Sequence, residues 1–90
     1  MAIASISQTF SGTGATNPVP LRGKFNVSVQ GFGSAGVNLE RSYDNGATWN
    51  IVETYSANTD KVGEEPETGV VYRLNVTSWA SGTLKCRLSQ

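Results

Sequence analysis

Ninety residues carrying seven basic and seven acidic side chains make one small domain of zero formal charge, with room for only a thin core. That balance excludes a general nucleic-acid binder, which needs a basic excess to displace counterions, and it leaves no polybasic patch for a membrane surface. One cysteine and no histidine exclude an internal disulfide and the usual zinc cluster, so neither metal nor cofactor is expected.

The chain opens with MAIASISQTF, which lacks the charged start and apolar stretch of a signal peptide. No apolar run approaches the ~18 residues of a membrane span. The expected product is made in a cytoplasm and used intact, with no membrane partner and no nucleic acid. Residues 1–20 are polar and rich in Gly, Ser and Thr, with Pro18 and Pro20. They read as an N-terminal arm, either frayed or ordered on a partner surface through Ile3, Ile6 and Phe10. Weak strands are expected near Ile3 to Ile6 and Val19 to Leu21.

From residue 21 onward a period of two replaces any helical stripe. Phe25, Val27 and Val29 share one face of the first clear strand. The GFGSAG segment, residues 31–36, reads as a break. Val37 and Leu39 share the next face, and Arg41 and Tyr43 carry that strand into a turn at Asp44-Asn45-Gly46. Trp49 and Ile51 then oppose Val52 and Thr54. The EEPETG stretch, residues 64–69, reads as a solvated acidic loop. Val70, Tyr72, Leu74 and Val76 share a face, Ser81-Gly82 reads as a last hairpin, and Leu84, Cys86 and Leu88 close the pattern. Cys86 is expected in the core. Gly, Ser, Thr and Asn supply 36 of the 90 residues, a composition of strands and turns. The fold class is all-β: a small antiparallel β-sandwich or barrel over residues 21–90, preceded by the arm.

Chemistry is sparse. Without histidine the commonest general base and the Ser-His and Cys-His nucleophile systems are missing. Glu40 and Asp44 stand four apart at the run into a turn, a weak basis for a glycosidase pair. No catalytic residue is assigned, and the protein is expected to be no enzyme. Trp79, beside Ala80-Ser81-Gly82, is the aromatic residue expected to be exposed as a partner contact.

The stretch RSYDNGATW, residues 41–49, contains S-x-D-x-G-x-T-W. Each required residue has a structural task. Asp44 accepts backbone N–H groups further along the loop, Gly46 takes a positive φ, Ser42 and Thr48 tie the neck, and Trp49 is an apolar plug against the sheet. These positions resemble the Asp-box of sialidases and related β-propellers. There the box is a repeated hairpin away from the catalytic pocket, so the resemblance implies a hairpin and not sialidase activity.

A broader resemblance covers roughly residues 22 to 90, through GKFNVSV, LERSYDNGATW, EPETGVVYRLNVTS and the terminal SGTLKCRLSQ. It is similar to small β proteins encoded by tailed bacteriophages. The resemblance implies a virion protein, most plainly a capsid decoration or cement protein that stabilises the head as an oligomer, a homotrimer being favoured. The partner would be the major capsid protein or another virion protein. The alternative is a carbohydrate-binding or fibre-associated β module for host recognition.

Overall fold

The computed structural model describes residues 5–90; residues 1–4, with Ile3 among them, lie outside the described residues. The strands are β1 (Ser5–Phe10), β2 (Gly14–Ala15), β3 (Val19–Pro20), β4 (Gly23–Ser42), β5 (Asn50–Tyr55), β6 (Thr59–Glu65) and β7 (Val71–Ser89). All pair antiparallel, in the order β1-β7-β4-β5. In addition β2 and β3 lie on β7, and β6 lies on β4. No described residue is helical. The fold is therefore the small all-β domain that the alternating pattern predicts.

The spine is the pair β4–β7, which runs from Asn26 opposite Ser89 to Ser42 opposite Val71. The first half of β4 takes β6 on its other edge, and the second half takes β5. β1 covers the C-terminal half of β7, and β2 and β3 cover its N-terminal half. One seven-stranded sheet results, its two halves sharing the spine on either side of the register shifts. The inward side chains form one core: Phe25, Val27 and Val29 with Leu84, Cys86 and Leu88 from one half of the sheet, Val37 and Leu39 with Tyr72, Leu74 and Val76 from the other. Phe25 and Tyr72 meet across it with ring centroids 4.8 Å apart.

Two expected breaks are corrected. GFGSAG does not end a strand, and Ser81-Gly82 is not a hairpin. The two segments face each other inside β4 and β7, with Phe32 opposite Gly82, Ser34 opposite Ser81 and Ala35 opposite Trp79. The register shifts four times between Gln30 and Val37, and such bulges bend a strand without ending it. Gly31 shows why glycine is needed there. Its φ is +82°, and a Cβ there would collide with the backbone carbonyl oxygen of Thr83.

The division into an arm over 1–20 and a domain over 21–90 is also corrected for the described part of the arm. β1 pairs from Ser5 opposite Ser89 to Phe10 opposite Leu84. Ile6 and Phe10 pack against the protein's own core. Thr16 is buried, bonding Leu74 through both its N–H (2.9 Å) and its hydroxyl (3.0 Å), and Val19 is a core residue. An edge strand needs little apolar content when its neighbour already supplies the ladder, which is why composition alone made this segment look free.

Candidate functional site

The S-x-D-x-G-x-T-W loop leaves β4 at Ser42, whose hydroxyl is fully buried. It donates to Asp44 Oδ1 at 2.6 Å and accepts the backbone N–H groups of Gly46 at 2.8 Å and Asp44 at 3.3 Å. Asp44 also accepts the Thr48 backbone N–H at 2.9 Å and the Thr48 hydroxyl at 2.5 Å. Bonds from Ser42 and then Thr48 hold the Asp44 carboxyl down at about 2. Asn45 and Gly46 take φ values of 57° and 94°, which suits glycine at the second position. The side-chain oxygens of Ser42, Asp44 and Thr48 are thus spent on the loop.

Trp49 departs from its expected task. It is half-buried and outside the core, with the Arg73 guanidinium 4.3 Å above its ring. Arg73 in turn donates to Glu40 at 2.7 Å, and Asn75 donates to the same carboxylate at 3.2 Å. The hairpin is therefore anchored on the outer face of the sheet, through a cation–π contact. Glu40 is occupied by Arg73 and Asn75, while Asp44 is occupied by its own loop.

The acidic stretch is corrected at Glu65. This residue ends β6 and is 1% exposed. It accepts the Tyr72 hydroxyl at 2.6 Å, an Arg41 N–H at 2.9 Å and the Glu67 backbone N–H at 3.0 Å. Burial opposes its ionisation, but Tyr72, Glu67 and Arg41 together outweigh burial and hold the carboxyl below its ordinary value. Burial, followed by the bond to Glu65, pushes the Tyr72 hydroxyl up to about 12. The signal lay in strand parity. Arg41 sits on the same parity as Val37 and Leu39, so an inward arginine required a carboxylate partner.

β5 and β6 occupy the same edge of β4 but do not pair with each other. Between them opens a cleft of about 500 Å³, floored by Phe25, Val27, Leu39 and Tyr72. Lys61 of β6 reaches Glu53 of β5 at 2.7 Å and ties the two edges. Beside them Arg41 lies 5.1 Å from the centroid of the Tyr43 ring. Of the five exposed large apolar side chains among the described residues, Tyr43, Ile51, Val52 and Val62 all border this cleft. The expected alternation through Trp49, Ile51, Val52 and Thr54 is broken by a bulge, because Leu39 pairs with Glu53 and Glu40 with Ile51. Val52 is the extra residue, and both Ile51 and Val52 face solvent. β6 itself gave no strand signal, since TDKVGEE holds a single large apolar residue.

The residues expected to meet a partner do not converge. Ile6 and Phe10 flank the core, and Ile3 lies outside the described residues. Trp79 sits in the bend of β7, its indole N–H donating to the Gly82 carbonyl at 3.0 Å, and stays 37% exposed. Cys86 is buried, which pushes its thiol up to about 11 and suits a core side chain. No family model, curated protein or solved structure matches this chain.

Proposed function

We propose that this protein is a non-enzymatic structural component of a tailed-phage virion, a decoration protein that stabilises the head as an oligomer. The observation that carries an interaction role is the gathering of four exposed apolar side chains around one cleft. A monomer with no partner gains nothing from concentrating its exposed apolar surface in one place. The polar groups nearest to chemistry are engaged structurally: Asp44 in its loop, Glu40 with Arg73, Glu65 with Arg41 and Tyr72. The virion setting rests on the resemblance carried by residues 22 to 90. Made in the host cytoplasm, the protein would act in the particle, against the major capsid protein or another virion protein.

The carbohydrate-binding alternative needs aromatic rings presented together. The rings are dispersed instead: Tyr55 and Tyr72 are buried, Trp49 lies under Arg73, and Trp79 stands in the bend. The test is proteomic and structural. Purified particles of the parent phage should contain this chain in a fixed ratio to the capsid protein, and a particle map should show its density on the head. Absence from purified particles would overturn the reading.

A further inference from the structure

Asparagine followed by glycine is the dipeptide most open to attack by its own backbone. The glycine nitrogen, with no Cβ beside it, reaches the asparagine side-chain carbonyl unhindered. Of the seven asparagines, only Asn45 precedes a glycine; the others precede Pro18, Val27, Leu39, Ile51, Thr59 and Val76. Proline has no N–H to lose, and the side chains of the other five shield the nitrogen. Asn45 is also exposed, in the loop between β4 and β5. Position in the sequence and exposure both mark Asn45–Gly46 as the place where this chain would deamidate.

The chemistry needs no co-reactant except water. The Gly46 amide nitrogen gives up its proton and bonds to Asn45 Cγ. The Cγ–Nδ2 bond breaks, and the side-chain nitrogen leaves as ammonia with that proton. Water then opens the five-membered imide at either carbonyl, leaving aspartate or isoaspartate at position 45. The folded loop opposes both requirements of the first step. The proton that must leave points at the Ser42 hydroxyl, 2.8 Å away, on a residue that is 0% exposed. The Ser42 hydroxyl proton is itself committed to Asp44 Oδ1 at 2.6 Å, so Ser42 accepts there without acting as a base. The nitrogen must also reach Asn45 Cγ. Asn45 and Gly46 hold φ values of 57° and 94°, with the Ala47 N–H on the Asp44 carbonyl at 3.3 Å, the two positive angles of a type I′ turn. In that left-handed conformation the next nitrogen lies on the far side of Cα from Cβ. Ring closure has to turn the Asn45–Gly46 peptide over, which takes its N–H off Ser42.

We propose that Asn45–Gly46 is a latent deamidation site and that Ser42 guards it by holding the Gly46 N–H. Conversion then follows local opening of the hairpin. It is also a one-way switch, because isoaspartate lengthens the backbone within the turn and either product adds a negative charge beside Asp44. The site is a property of the purified chain and stands apart from any role in a particle.

The experiment is peptide mapping by mass spectrometry of the intact chain, aged in mildly alkaline buffer. A synthetic peptide of residues 41–49 serves as the unprotected reference, and Ser42→Ala and Thr48→Val are aged alongside. Conversion at Asn45 in the parent should run about tenfold or more behind the peptide, as for a backbone group freed only by local opening. Ser42→Ala should close most of that gap while circular dichroism still shows the parent fold. Thr48→Val loosens the neck of the loop but keeps Ser42 on the Gly46 N–H, so it should convert more slowly than Ser42→Ala. If Ser42→Ala does not fold, hydrogen exchange in the parent decides the matter. The Gly46 amide should be slowed relative to the peptide by a factor similar to that for deamidation, and sub-denaturing urea should raise both rates together. A parent that converts as fast as the peptide, a folded Ser42→Ala as slow as the parent, or a Thr48→Val as fast as Ser42→Ala would each overturn the proposal. So would first conversion at another asparagine, or a Gly46 amide that exchanges freely while Asn45 stays intact.

Discussion

At the scale of residues, burial and charge are resolved by local pairing. Asp44 lies in an exposed loop yet collects bonds from Ser42 and Thr48, all of which favour its ionised form. Its folded value of about 2 lies below the ordinary 3.8. The loop's stabilisation is therefore complete above the ordinary value and is lost as pH falls through about 2. A carbon-detected NMR titration should place the Asp44 carboxyl midpoint near 2; a midpoint at the ordinary value would contradict the bonding described. Glu65 makes the opposite case of a buried carboxylate. Glu65→Ala leaves the buried Tyr72 hydroxyl and the Arg41 guanidinium without their acceptor. The expected loss is about 2–3 kcal/mol, lower than for a fully buried pair because Arg41 is partly solvated. Tyr72→Phe, which removes one bond and leaves Glu65 paired with Arg41, should cost about 1 kcal/mol. Chemical denaturation checks both, and equal costs would show that the arginine contributes little.

At the scale of elements, the bent spine and the covered edge decide the architecture. Gly31→Ala places a Cβ against the Thr83 carbonyl at a positive φ, so the strand must shift. A loss of at least 2 kcal/mol is expected, of the order seen for strained backbone plus overpacking. Gly12→Ala, where nothing lies within 4 Å, should be close to neutral in the same thermal melt. Removal of residues 2–18 strips β1 and β2 from the edge of β7, together with Ile6, Phe10 and Thr16. Those contacts are worth several kcal/mol, a large part of the roughly 5–15 kcal/mol that a domain possesses. The truncated chain should be strongly destabilised or unfolded by circular dichroism. A truncated chain as stable as the parent would restore the picture of a dispensable arm.

At the scale of the whole molecule, the pairing of β4 with β7 sets how the chain folds. Ser42 meets Val71, and Asn26 meets Ser89, so the central ladder joins segments distant in sequence. Loop closure precedes its reward in such a topology. Stopped-flow refolding should fall in the range of milliseconds to seconds typical of all-β domains. Refolding within ~10 µs would mean that local hairpins, not the spine, limit the rate. The same topology produces the open side. β4 is longer than either β5 or β6, so each takes half of its edge, and the bend turns the two free edges toward a common cleft.

What the sequence by itself determined were the features encoded by neighbours. Alternation located the inward faces of β4 and β7, from Phe25 to Leu39 and from Tyr72 to Leu88, because strand side chains repeat every two residues. Asn45 and Gly46 located a hairpin, because positive φ is a local demand. Tertiary structure alone decided whether a glycine-rich stretch ends a strand or bends it. For Gly31 to Gly36 the answer lay in Thr77 to Gly82, some way along the chain, which supplied the facing ladder. It also decided that β6, poor in large apolar residues, is a strand, and that the weak strand expected up to Ile6 runs on to Phe10, since β4 and β7 give them their hydrogen bonds. Burial of Glu65 depended on the approach of Arg41 and Tyr72 from two other strands. The exposure of Ile51 and Val62 arose only where β5 and β6, side by side on the same edge of β4, stayed unpaired with each other. Local sequence carries conformational preference; which surfaces meet, and which stay open, depends on contacts between segments that the chain does not place side by side.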